Sequence, residues 1–147
     1  MNCIGSSNEQ FAGYTRRCTV KMEYQNHRIL IVEDDRYVAM CIKQTLESFG
    51  YNRVDIAFSG EEAIEKAKET RAGVVLMDIV LRGKIDGVEA AKMIKEQFGI
   101  PIIYLTGASD EKTVKRAKET NPVGYLLKPF QQRDLQQGIE FALRLHG

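Results

Sequence analysis

At 147 residues, 44% hydrophobic and 28% charged, the chain suits one compact domain and is too apolar to remain disordered. Its 21 basic and 20 acidic residues leave a formal charge of +1, which supplies no electrostatic reason to expect a nucleic-acid partner. Three widely spaced cysteines point to neither a disulfide framework nor a zinc cluster, and no apolar run approaches the ~20 residues of a membrane span.

The start of the chain carries no hydrophobic signal region, so the expected compartment is the cytoplasm. Residues 1–27 are polar with scattered aromatics and no sustained period; they read as an N-terminal extension of the domain that occupies residues 28–147. Met22 lies within this extension, close before the first strand. From Arg28 onward the pattern alternates between two periods. Ile29-Leu30-Ile31-Val32 is a short, β-branched apolar run of the kind buried on both faces of a parallel sheet, and it stops at Glu33-Asp34-Asp35. Val38, Ile42, Leu46 and Phe49 then recur at helical spacing up to Gly50. Cys41 sits in this pattern and reads as a small core residue.

Residues 52–58 form the second predicted strand. Ser59-Gly60-Glu61-Glu62 has the form of a capping box, opening a helix that turns Ala63, Ile64 and Ala67 inward. Gly73 to Met77 is the third strand and ends in Asp78. Asp86-Gly87-Val88-Glu89 opens a helix with Ala90, Ala91, Ile94 and Phe98 inward and Gly99 at its stop. Pro101 to Leu105 is the fourth strand, closed by Thr106-Gly107, and a charged helix covers 110–120. Val123 to Leu127 is the fifth strand, closed by Lys128-Pro129, before a last helix over 131–145 with Leu135, Ile139, Ala142 and Leu143 as its stripe. Five alternating strand–helix units predict a doubly wound α/β fold: a five-stranded parallel sheet with helices on both faces.

In such a sheet every strand ends on the same edge, and ligands bind where the strand order reverses. In the order 2-1-3-4-5 that point lies between the first and third strands. Glu33 and Asp34, Asp78, Thr106 and Lys128 each follow a strand, so they converge on one cleft. Three close carboxylates repel, and a divalent cation relieves the repulsion; oxygen ligands without His or Cys favour Mg²⁺. One carboxylate can then attack phosphorus, with a lysine neutralising the transferred group and a threonine hydroxyl donating to it. Singly, an acid after a strand is more often a turn or cap residue. The joint pattern, with the required types in order at four strand ends, carries the inference.

These segments, Ile29 to Asp35, Val75-Leu76-Met77-Asp78-Ile79, Asp86-Gly87, Leu105-Thr106-Gly107 and Tyr125 to Phe130, resemble the receiver domain of response regulators over residues 28 to about 145. The resemblance implies a flavodoxin-like fold and Mg²⁺-dependent phosphoryl transfer from a histidine kinase or phosphotransfer domain to Asp78. It implies Asp34 as direct metal ligand, Glu33 as its acidic partner and the Val80 backbone carbonyl as a further ligand. Thr106 and Lys128 take the switch and phosphate-binding positions, and the Lys128–Pro129 peptide is expected to be cis, aiming the lysine into the cleft. Tyr125 is read equally as a half-buried strand residue or as a rotameric switch that follows Thr106. The implied output is a protein-interaction surface, with a phosphorylation-dependent homodimer among its forms, and neither nucleic acid nor membrane bound directly. With Gly147 the last residue, either that surface is itself the output or this is one piece of a longer protein.

The chain departs from the family pattern in two places. Arg82 stands where a proline is usual, four residues after the acceptor, and Arg82-Gly83-Lys84 lengthens that loop by one residue. Glu33 replaces the commoner aspartate. Val80 and Ala108 occupy the positions expected to flank a hydrolytic water, and neither can bind one, so the phosphorylated state is expected to be long-lived. The alternative to a signalling module is an Mg²⁺-dependent phosphatase with an aspartate nucleophile. That chemistry wants a second acid two residues after the nucleophile, where this chain has Val80. A flavin or nucleotide carrier would need a phosphate cradle where Glu33-Asp34-Asp35 stand. Lys112, Lys115, Arg116 and Lys118 read as a solvated helix face, because Glu111 and Glu119 flank them.

Overall fold

The computed structural model describes residues 26–107 and 111–146. Expectations about residues 1–25 of the extension, Cys3, Cys18, Met22, Ala108 and the Asp110 helix start fall outside the described residues. Short runs rich in β-branched residues supply β1 (Ile29–Val32), β2 (Val54–Ala57), β3 (Val74–Asp78) and β4 (Ile102–Thr106), and the tyrosine–leucine run supplies β5 (Gly124–Leu127). Between and after them lie α1 (Arg36–Ser48), α2 (Gly60–Thr70), α3 (Gly87–Phe98), α4 (Glu111–Lys118) and α5 (Gln132–His146). The strands are parallel in the order β2-β1-β3-β4-β5.

The continuous apolar runs have the predicted consequence. Every residue of β1 and β3 is buried, because both faces of the sheet are covered. Odd-numbered β1 residues Ile29 and Ile31 pack with Ile42, Leu46, Leu135, Ile139 and Leu143 from α1 and α5. Even-numbered Leu30 and Val32 pack with Ala63, Ala67, Ala90, Ala91 and Ile94 from α2 and α3. The small residues on α2 and α3 let those helices lie close to the sheet and to each other.

Local signals set the helix starts. Asp35 caps α1, its carboxylate accepting from the Tyr37 and Val38 N–H groups at 2.9 and 3.2 Å. Ser59 caps α2 through the Glu62 N–H at 3.1 Å, but the reciprocal half of the box differs from the expectation. Glu62 reaches one residue further back, to the Phe58 N–H at 2.8 Å. The complete capping box is at Asp86 and Glu89, which exchange side-chain to backbone bonds at the start of α3.

Cys41 is a correction: it is exposed, not core. The inward stripe of α1 runs through Ala39, Ile42 and Leu46. A step of about 100° per residue from Ile42 carries Cys41 off that stripe.

Candidate functional site

Parallel pairing sets the site. β1 and β3 lie side by side with Val32 opposite Met77, so the residues that follow them emerge together at the carboxyl edge. Asp78 pairs with Leu105, and Thr106 with Leu127, which brings the ends of β4 and β5 to the same edge. Glu33, Asp78 and Thr106 are the buried polar residues among those described, at 2%, 6% and 5% exposure.

Lys128 binds this edge together. Its Nζ donates to Glu33 Oε1 at 3.1 Å and to Asp78 Oδ2 at 3.2 Å, while its main-chain N–H donates to the Thr106 carbonyl. The Lys128–Pro129 peptide is cis, as expected. Asp78 is held at both oxygens, since the Val80 N–H donates to Oδ1 at 3.0 Å. Asp34 stands at the mouth, its Oδ2 accepting from the Arg82 Nε and main-chain N–H. One oxygen from each of Glu33, Asp34 and Asp78 lies within 4.8 Å of the other two. Three convergent carboxylate oxygens without a soft donor fit a hard divalent ion such as Mg²⁺.

The crowding has an electrostatic signature. Burial, reinforced by the neighbouring Asp78 carboxylate, pushes Glu33 up from 4.5 to about 7, against the pull of the Asp35 N–H and Lys128. Burial works against the Lys128 ammonium, but Asp78 and Glu33 outweigh it and hold its pKa above the ordinary value. Three carboxylates thus converge on one lysine within the cleft, with Arg82 paired to Asp34 at its mouth.

Gly87 explains why the segment after Asp86 must come so near. A Cβ there would lie 2.1 Å from the Asp78 carbonyl oxygen, so only glycine lets α3 begin against the acceptor strand. Asp86 is also gripped from α4: Arg116 reaches its two oxygens at 2.9 and 3.4 Å. Arg116, read from sequence as one of a solvated set, therefore ties α4 to the cap of α3. The Asp86 carboxyl sits below its usual range: burial opposes this, and Arg116 with the Glu89 and Val88 N–H groups overcomes it.

Tyr125 is 37% exposed and its ring stacks on Tyr104, centroids 5.9 Å apart and planes at 23°. Tyr104 is fully buried with its hydroxyl 2.8 Å from the Thr120 hydroxyl, and burial pushes its pKa up to about 12. Sequence reasoning passed over Tyr104. Its signal was its place opposite Tyr125 in the β4–β5 register, which puts both rings on one face.

The response regulator receiver domain family matches residues 29–140. The transcriptional regulatory protein PdtaR of Mycobacterium tuberculosis is 36% identical over 116 residues, covering 79% of this chain and 56% of that protein. The alkaline phosphatase synthesis transcriptional regulatory protein PhoP of Bacillus subtilis is 32% identical over 120 residues, covering 81% of this chain and 49% of that protein. The chain thus spans about half the length of these relatives. Among solved structures, the signal receiver domain of a modulated diguanylate cyclase from Desulfovibrio desulfuricans superposes with a TM-score of 0.78 at 40% identity, over 82% of this chain and 96% of that one. The chain belongs to the response regulator receiver domains, the regulatory domains of two-component signalling. No helix among the described residues is long and apolar enough to cross a membrane.

Proposed function

We propose that Asp78 accepts a phosphoryl group from a histidine kinase or phosphotransfer domain, and that the acyl phosphate switches a protein-interaction surface. The observation that carries this is Lys128, whose ammonium touches both Glu33 and Asp78 at the sheet edge. An oxygen of Asp78 attacks phosphorus as the phosphorus–nitrogen bond of the donor breaks and its electron pair returns to the imidazole. Glu33, Asp34, Asp78 and the Val80 carbonyl would hold Mg²⁺, which when bound supplies charge neutralisation on the transferred group. Lys128 supplies the second cation at that group, and Thr106, whose hydroxyl donates to the Gly107 carbonyl at 3.3 Å in this structure, turns it to a phosphoryl oxygen in the phosphorylated state.

The switched surface in this reading is the α4–β5–α5 face, with Thr106 and Tyr125 as its moving side chains. The Tyr104–Tyr125 stack supports it, because a displaced Tyr125 changes a contact that reaches α4 through Thr120. The partner downstream is a protein, as another chain, a fused domain or a second copy; the balanced charge argues against direct nucleic-acid binding. Catalysis by the domain is limited to its own phosphorylation from small donors and its own dephosphorylation. Incubation with a small acyl phosphate or phosphoramidate donor and Mg²⁺ tests the proposal. Labelling should saturate near one phosphoryl group per chain; sustained turnover of donor many times beyond that would instead support the phosphatase reading.

The lifetime of the phosphorylated form gives a second expectation. Val80 is 61% exposed beside the acceptor, and its side chain offers an approaching water no hydrogen bond. Val80→Asn should accelerate dephosphorylation roughly several-fold by supplying a group that positions the water. An unchanged or slower rate in a chase experiment would defeat this account.

A further inference from the structure

The two cations of the site are held very differently. Lys128 lies between two buried acids, its side chain 31% exposed. Arg82 is 90% exposed, yet its Nε lies 3.2 Å from Asp34 Oδ2, and its main-chain N–H bonds the same oxygen at 3.3 Å. Asp34 itself is only 19% exposed at its side chain. The guanidinium therefore covers the outermost carboxylate of the metal-ligand set without being packed into the protein.

We propose that Arg82 is a displaceable counter-cation of the metal site, neutralising Asp34 while no metal is bound and yielding that carboxylate when Mg²⁺ binds. The inference rests on the assignment of Mg²⁺ to Glu33, Asp34 and Asp78. Three carboxylates against Lys128 alone leave a surplus of negative charge, and Arg82 offsets part of it. A divalent ion does so more completely, and two cations at one carboxylate repel. Arg82 is the one that can leave: an ion pair this exposed contributes little to stability, and the side chain gives up no packing. Lys128 cannot leave without stranding two buried carboxylates. The arginine at this loop position thus lowers metal affinity by the cost of surrendering the pair. Its main-chain N–H, independent of the side chain, keeps the loop registered on Asp34.

Two measurements on the full chain test this. Melting temperature against Mg²⁺ concentration yields metal affinity by mass action. Arg82→Ala should bind Mg²⁺ roughly two- to fivefold tighter than wild type, the range of an exposed pair, and the difference should shrink as monovalent salt rises. Arg82→Lys, which keeps the charge, should stay nearer wild type. In ¹⁵N-labelled protein, the Arg82 side-chain Nε–H resonance should move with Mg²⁺ in parallel with the Asp34 amide. Equal or weaker Mg²⁺ binding by Arg82→Ala, or an Nε–H resonance that stays still while the Asp34 amide moves, would overturn the inference. If neither resonance moves and the melt ignores Mg²⁺, the metal assignment falls and takes the inference with it. Asp34→Asn, which should lose most of the metal response, marks that baseline.

Discussion

Asp78→Asn should reduce Mg²⁺-dependent covalent labelling by a small phosphodonor to background. The carboxamide keeps the shape of the side chain but removes the anionic oxygen that forms the new phosphorus–oxygen bond. No second acid is placed to replace it. Glu33 is held by Lys128 and the Asp35 N–H, and Asp34 would be engaged by the bound Mg²⁺ on which the labelling depends. The variant should remain folded, because one charge leaves a crowded set in which burial and Asp78 already push Glu33 up to about 7. Loss of label in a protein with an unchanged melt would therefore be chemical. The wild-type label should show the hydroxylamine sensitivity of an acyl phosphate. Undiminished labelling of Asp78→Asn would remove the central proposal.

Gly87→Ala should be the most destabilising small substitution near the site, at about 3 kcal/mol or more. Replacing a helical glycine by alanine ordinarily gains about 1 kcal/mol. Here the sign reverses, because the new Cβ would lie 2.1 Å from the Asp78 carbonyl oxygen and 3.1 Å from that of Ile79. Both are backbone atoms of the sheet edge, so no rotamer change relieves the overlap and α3 must move off β3. Overpacking of a side-chain contact typically costs about 1–3 kcal/mol, and a backbone clash belongs at or above the upper end. Gly60 is the comparison: a Cβ there meets the Ile85 side chain at 2.8 Å, and a side chain can turn aside. Denaturant titration of both alanine variants should rank Gly87→Ala as clearly the less stable. Equal stability would mean that α3 can lift away from Asp78 at little cost.

The architecture was legible because its signals are periodic and local. Four- or five-residue apolar runs alternating with helical stripes can be satisfied by a sheet covered on both faces, and the residues that close the strands then share an edge. The convergence of Glu33, Asp34, Asp78, Thr106 and Lys128 follows from that arrangement without any coordinates. Cys41 was misplaced because α1 carries more apolar positions than its inward stripe holds. A step of about 100° from Ile42 puts it outside that stripe, which its residue type alone did not reveal.

Sequence by itself determined which residues close the strands, the order of acids and lysine along them, and the helix starts at Ser59 and Asp86, since each depends on neighbours within a few residues. Only the tertiary structure decided which long side chains reach across the cleft. Arg82 finds Asp34 across 48 residues of sequence, and Arg116 finds Asp86 across 30. Arginines of the same composition could equally face water, and nothing in local spacing selects between those outcomes. The close approach at Gly87 is of the same kind. An Asp-Gly pair reads as a turn or a helix start from sequence. That its missing side chain makes room for the backbone of the acceptor strand is a property of how α3 packs on β3.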